Sequence, residues 1–219
     1  MQAARGTSVD PESPGSPESR RSAGLAPKLI FVIVAVVAYA TDQVTKALAL
    51  EHLDGRPDVQ VIGEVLQLHL TRNPGAAFSA GTGLTPYITA FAIAATLAVL
   101  WYARRLGSTG WGFGFGFLLA GITGNLTDRL LRDPEPFHGH VIDFLMLPNW
   151  PIFNIADICI NIAAGLIIIQ SFRGIRLDGS REKDDERDAA ADGPELRSAV
   201  DLRGAEGADD VVGPEDGAR

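Results

Sequence analysis

Two aspartates carry the strongest chemical signal in this chain. Asp143 stands in Val141-Ile142-Asp143-Phe144, an apolar setting in which a solvated loop aspartate is not expected. Asp157 lies near the start of a long apolar run, with Asn154 and Asn161 on the same helical face. The cations nearby have other partners within reach. Lys46 is spaced i, i+4 from Asp42, and Arg129 and Arg132 neighbour Asp128. Asp143 and Asp157 are left over. Two carboxylates in apolar surroundings cannot both be charged, because desolvation and mutual repulsion raise one pKa while hydrogen bonds hold the other low. Such a pair shares a proton and titrates as a unit. Its ionised member can take a proton from water attacking an amide carbonyl, and its neutral member can polarise that carbonyl and help protonate the leaving nitrogen.

The elements that must position these residues are apolar helices. A chain of 219 residues with a net charge of −8 would, on those figures alone, be an acidic soluble domain. The acidic excess lies mostly after Phe172, however, and four apolar stretches fill the middle: Leu29 to Leu50, Pro86 to Ala103, Trp111 to Leu131 and Ile152 to Phe172. As helices they would reach about 27 to 33 Å, matching a hydrocarbon core of about 30 Å. The expected fold class is a mainly α membrane protein with four transmembrane helices in residues 29–172. Residues 1–28 and 173–219, rich in charge, Pro, Gly and Ser, are read as disordered cytoplasmic tails.

Basic residues set the orientation. Arg20, Arg21 and Lys28 precede span one, Arg104 and Arg105 separate spans two and three, and Arg173, Arg176, Arg181 and Lys183 follow span four. Both termini then face inward. In the outer segment after span one, Leu66, Leu68 and Leu70 alternate with Gln67, His69 and Thr71, which predicts a half-buried strand and a small extracytoplasmic β-sheet between helices 1 and 2. It runs into the turn signal Asn73-Pro74-Gly75.

With that orientation the costly polar groups fall at one depth. Asp42 and Lys46 lie in the outer third of span one, Asn125, Asp128 and Arg129 near the outer end of span three, and Asn154 and Asp157 at the outer start of span four. Gly121, Gly124, Asn125, Asp128 and Arg132 share a stripe that is expected to face the stripe of Asn154, Asp157 and Asn161.

These residues give the sequence a close resemblance to the lipoprotein signal peptidases, or signal peptidase II, the bacterial aspartic peptidases of the membrane. Five blocks carry it in order: Asp42-Gln43-Val44-Thr45-Lys46, Asn73-Pro74-Gly75-Ala76-Ala77-Phe78, Gly121 to Arg129 ending in Gly124-Asn125-Leu126-Thr127-Asp128-Arg129, Val141-Ile142-Asp143-Phe144, and Phe153-Asn154-Ile155-Ala156-Asp157. The resemblance implies four transmembrane helices, an outer β-cradle, and cleavage of prolipoproteins just before a diacylglyceryl-modified cysteine. It implies Asp143 and Asp157 as the catalytic pair. Asn125, Arg129 and Asn154 would hold that pair and the substrate backbone, Asn73 would contact the peptide, and Asp42 with Lys46 would brace span one; Gly124 and Asp128 belong to the supporting block. The expected partners are prolipoproteins and membrane lipids, with no nucleic acid, metal or cofactor. The expected form is a monomer in the bacterial cytoplasmic membrane with its site at the outer face. Ala120-Gly121 and Ile142 are small departures from the family pattern, and neither touches the chemistry.

Other readings are weaker. His138, His140 and Asp143 offer metal ligands in one segment, but no HExxH helix or second ligand cluster accompanies them. Ser79 lacks a histidine base within a span and a GxSxG setting. Gly112, Gly114 and Gly116 follow no strand, so Gly112 and Gly116 read as a helix-packing pair. Cys159 is a lone packing cysteine. Basic residues before Leu29 and the run ending Ala38-Tyr39-Ala40 also suit a cleavable signal peptide, although apolar character resumes at Ala47. The alternative from another class is a small proton-coupled transporter, which would place its carboxylates near mid-membrane and repeat its halves.

Overall fold

The computed structural model describes residues 17–75 and 84–181. In chain order the elements are α1 (Pro17–Leu53), β1 (Val59–Ile62), β2 (Leu66–Asn73), α2 (Thr85–Ala103), α3 (Thr109–Leu131), β3 (Val141–Met146) and α4 (Ile155–Phe172). α3 is the hub and packs on α1, α2 and α4. Its small residues permit this, since a side chain at Gly112 would meet the Pro27 carbonyl oxygen at 2.6 Å and one at Gly116 the Val34 Cβ at 2.8 Å. The expected glycine pair therefore seats α3 directly on α1, where close backbone approach maximises packing.

Among the described residues three helices are long and apolar enough to cross a membrane: Leu25–Leu53, Thr85–Ala103 and Ile155–Phe172. They expose Val36, Val37, Phe91, Leu97, Ile168 and Ile169, as lipid-facing surfaces do. α3 falls short of that standard because its glycines and the polar residues Asn125, Asp128 and Arg129 dilute it. Those groups are shielded by the three helices around it.

The structure corrects the expected boundaries at both ends. α1 begins at Pro17 rather than Leu29, so residues 17–28 are helical and not disordered. A helix already formed by a long apolar segment extends one bond at a time at little cost, and proline fits its first turn. Beyond α4, residues 173–181 are also ordered. Ile175 pairs with Arg181, the Gly107 N–H donates to the Leu177 carbonyl at 2.8 Å, and Trp111 Nε1 donates to the Ile175 carbonyl at 2.8 Å. Leu177 packs with Phe31, Leu106 and Phe115, and this apolar contact is what the charge pattern concealed. The expectations for residues 1–16 and 182–219, and for Ala76, Ala77 and Ser79, lie outside the described residues.

The sheet is antiparallel in the order β1-β2-β3. It is not confined to the segment between α1 and α2, because Val141-Ile142-Asp143-Phe144 supplies the third strand. β2 is then central and half-buried along nearly all its length, without the expected alternation. Leu68 and Leu70 pack over Ala49, Leu53 and Phe144, while neighbours on both edges shelter the polar positions between them.

Candidate active site

Strand pairing brings the first aspartate into place. Thr71 of β2 stands opposite Asp143 of β3, and Asn73 opposite Val141. Asn73 is thus diagonal to Asp143 on the same face, and its Nδ2 donates to Asp143 Oδ2 at 2.9 Å. Asp143 is 2% exposed, in a strand rather than a loop.

A tight return of the chain delivers the second aspartate. After β3 the Trp150 N–H donates to the Leu147 carbonyl at 3.3 Å, with Asn149 at φ 56°, a conformation asparagine tolerates better than most residues. Phe153 then pairs back onto Leu145, its N–H donating at 3.0 Å and its carbonyl accepting at 2.8 Å. The next residue, Asn154, caps α4. Its Oδ1 accepts the Asp157 N–H at 3.0 Å, and Asp157 Oδ2 accepts the Asn154 N–H at 3.1 Å. This is a capping box written in the sequence as Asn-x-x-Asp. Asn154 Nδ2 donates in addition to Asp143 Oδ1 at 2.6 Å and to Asn125 Oδ1 at 3.0 Å.

α3 completes the cradle. Asn125 Nδ2 donates to Asp157 Oδ1 at 2.9 Å, so each of the four carboxylate oxygens of Asp143 and Asp157 accepts one N–H. Both aspartates, with Thr71, Asn73 and Phe153, line one open cavity of about 610 Å³. Burial pushes the Asp143 carboxyl up to about 6; the charge of Asp157 adds to this, and the hydrogen bonds from Asn73 and Asn154 oppose it.

Below the pair lies a second polar layer. Lys46 Nζ, fully buried, contacts Asp42 Oδ2 at 2.9 Å, Asp128 Oδ2 at 2.8 Å and Asn125 Oδ1 at 2.9 Å. Asp42 Oδ1 accepts the Ala156 N–H at 2.9 Å, which anchors the start of α4 to α1. A side chain at Gly124 would meet Asp42 Oδ2 at 2.6 Å and Ala156 Cβ at 3.1 Å, so only glycine leaves room for this junction. Asp128 also accepts from Arg132 Nε at 2.5 Å and from the Ile142 N–H at 3.3 Å, tying α3 to β3.

The predicted facing stripes do meet through Asn125, Asn154 and Asp157, whereas Asn161 turns back to the Asp157 carbonyl of its own helix. Arg129 is placed differently from its implied role: its Nη1 donates to the Asn125 carbonyl at 3.3 Å, and its Nε is buried without a hydrogen-bond partner among the described residues. It acts on Asp143 and Asp157 through charge rather than contact. His138 lies 3.3 Å from Glu135, and no group of three or more His, Cys, Asp or Glu among the described residues is arranged to hold a metal ion. Reasoning from sequence missed Asp42 as the anchor of α4 and Lys46 as the link between α1 and α3. It also missed the capping box, although Asn154-Ile155-Ala156-Asp157 displays it.

A helical bundle with long apolar faces, capped by a small sheet and lined at one cavity by two carboxylates, has the build of a membrane protein with a polar site at its sheet end. The family model for signal peptidase (SPase) II, Peptidase_A8, matches residues 34–173. This chain belongs to the signal peptidase II family, and is a protease. A lipoprotein signal peptidase of Leifsonia xyli subsp. xyli is 44% identical over 192 residues, covering 83% of this chain and 89% of the relative. That of Rhodococcus jostii is 42% identical over 156 residues, covering 71% and 78%. Among solved structures, a bacterial membrane enzyme determined by the in meso method at 1.9 Å resolution has a TM-score of 0.57 at 29% identity, covering 64% of this chain and 90% of its own.

Proposed function

We propose that this chain is an aspartic endopeptidase that removes the signal peptide from lipid-modified prolipoproteins by cleaving before the diacylglyceryl cysteine, with Asp143 and Asp157 as the catalytic pair. The observation that carries the reading is the convergence of these two carboxylates on one cavity, each oxygen held by an N–H. The charge balance agrees with it. Asp42, Asp128, Asp143 and Asp157 meet Lys46, Arg129 and Arg132, and a single proton on the pair makes this set neutral.

Asp157 takes a proton from water as the water oxygen bonds to the scissile carbonyl carbon, while the proton on Asp143 passes to the carbonyl oxygen. Asp157 then returns its proton to the cysteine nitrogen as the C–N bond breaks. Asp143 recovers a proton from the hydroxyl, leaving a carboxyl end on the signal peptide and a free amine on the cysteine. Asn73 and Asn154, already on Asp143 at the cavity wall, orient the acid toward the substrate backbone.

In this reading four helices span the bilayer with both termini inside. Arg104, Arg105, Arg173 and Arg176 flank the end of the bundle opposite the sheet, as cytoplasmic cations do. The sheet and the carboxylates then stand at the outer face, where an acylated substrate can stay in the lipid while its peptide reaches the cavity. A mid-membrane relay for transport has no such reason to sit beside a sheet.

Asp143→Asn and Asp157→Asn test the proposal. Each is expected to insert and melt as a folded protein yet leave a diacylglyceryl-modified prolipoprotein uncleaved in a gel-shift assay. Processing at the parent rate by both variants would remove the aspartic mechanism.

A further inference from the structure

The cavity that holds the two aspartates does not end at them. A second cavity, of about 560 Å³, is lined by Gln60, Glu64, Gln67 and Met146 of the sheet and by Asn149 and Trp150 of the turn after β3. Trp150 and Ile152 line both cavities, so the two share a wall. β2 serves both as well, with Gln67 in the second and Thr71 and Asn73 in the first. The sides of this trough are built on tight turns. Between β1 and β2 the Val65 N–H donates to the Ile62 carbonyl at 3.0 Å, with Gly63 at φ 51°, and Gln67 Nε2 donates to the Glu64 carbonyl at 3.3 Å. Across from it, the Leu147 to Trp150 turn presents a tryptophan that is 65% exposed.

The two ends of the trough differ in chemistry. Past the aspartates the first cavity reaches Ile158, Asn161 and Ile162, about one to two turns into α4, where both isoleucines are exposed on an apolar helix. The second cavity is lined by amide side chains, and Glu64 is the one ionisable residue among those that line it. A signal peptide is apolar and lies in the lipid, whereas the chain beyond the modified cysteine leads into water. Burial of like with like therefore gives the substrate one sense in the trough: signal peptide along α4, mature chain toward Gln67.

We propose that the second cavity receives the first residues of the mature chain after the modified cysteine, with Trp150 packing on the passing peptide and Glu64 favouring basic over acidic side chains there. The inference deepens the prolipoprotein reading above and rests on it. Thr71 stands opposite Asp143, and from Thr71 to Gln67 the strand covers about 13 Å at about 3.3 Å per residue, so an extended peptide beside it sets about four residues before clearing the sheet. An exposed indole offers such a peptide a large, stiff apolar face at little entropic cost.

The test uses the full chain in a neutral detergent and diacylglyceryl-modified prolipoproteins that differ only immediately after the cysteine, all lysine in one and all aspartate in the other. The parent is expected to favour the lysine substrate in kcat/KM by roughly threefold to fivefold, the scale of an exposed charge contact. Glu64→Gln is expected to shrink that ratio and Glu64→Lys to invert it. Glu135→Lys makes the same charge change between α3 and β3, outside both cavities, and is expected to leave the ratio in place. A ratio that the Glu64 variants do not move, or that Glu135→Lys moves equally, overturns the inference. Substrates shortened from the mature end supply a second reading: kcat/KM is expected to climb with each residue up to about four and then level, and Trp150→Ala to flatten the climb. A rate already level at the cysteine overturns it too. If the parent cleaves while the ratio and the climb fail to respond, this inference falls alone; if the parent leaves every prolipoprotein uncut, the prolipoprotein reading falls and takes it along.

Discussion

The side-chain amide of Asn154 lies 2.6 Å from Asp143 Oδ1, while the backbone N–H of the same residue lies 3.1 Å from Asp157 Oδ2. One residue therefore spaces the two acids, and it does so while capping the helix that carries the second. Helix stability and site geometry share an atom set. Asn154→Ala is expected to cost about 1 to 2 kcal/mol through the lost cap and to abolish cleavage. Asn154→Asp keeps a capping oxygen but sets a third carboxylate beside Asp143, so it should melt closer to the parent and still be inactive. Thermal melting in detergent beside a gel-shift assay checks both, and an active Asn154→Asp would contradict the shared role.

The raised pKa of Asp143 has a consequence for stability. Its carboxyl sits at about 6 in the folded chain against an ordinary 3.8, burial being the main cause. As pH rises the unfolded chain releases this proton first. The stability contributed by the neutral acid is thus present below about pH 4 and is lost as pH climbs to about 6. Asp143→Asn removes that dependence, so the variant should gain on the parent between pH 4 and pH 7, by no more than about 3 kcal/mol. Turning one oxygen into a donor beside Asn73 or Asn154 trims the gain. A melting difference that does not change with pH would count against the assignment.

Two glycines make a paired test of packing. Gly124→Ala forces a methyl to 2.6 Å from Asp42 Oδ2, at the junction of α1, α3 and α4, and is expected to cost about 1 to 3 kcal/mol along with most activity. Gly165→Ala, in α4, meets nothing within 4 Å and should stabilise by up to about 1 kcal/mol through helix propensity. Melting curves of the two variants decide whether the close approach at Gly124, rather than glycine as such, sustains the site.

The proposed orientation is open to labelling. In a Cys159→Ala background, which removes a native thiol only 4% exposed, single cysteines replacing Glu64 between β1 and β2 and Asp178 after α4 should react with a membrane-impermeant maleimide from opposite sides of the cell membrane. Labelling from the same side would reject a bundle with both termini inside.

The linear order of residues determined a good deal without the fold. Apolar run length located the helices, because a span must hide its own backbone bonds within about 20 residues. The surplus of acids over nearby cations singled out Asp143 and Asp157, since a buried charge without a partner is costly wherever it occurs. Local signals could also have supplied the Asn154 cap. What needed the tertiary structure was everything carried across the bundle: β3 joining the sheet from beyond α3, Asp42 gripping the start of α4, and Lys46 reaching Asn125 while Arg129 stays out of contact. Spacing along one helix gives the face a side chain occupies. Which partner fills that face depends on how closely the backbones approach, and that was set by glycines whose effect is visible only once the helices are packed.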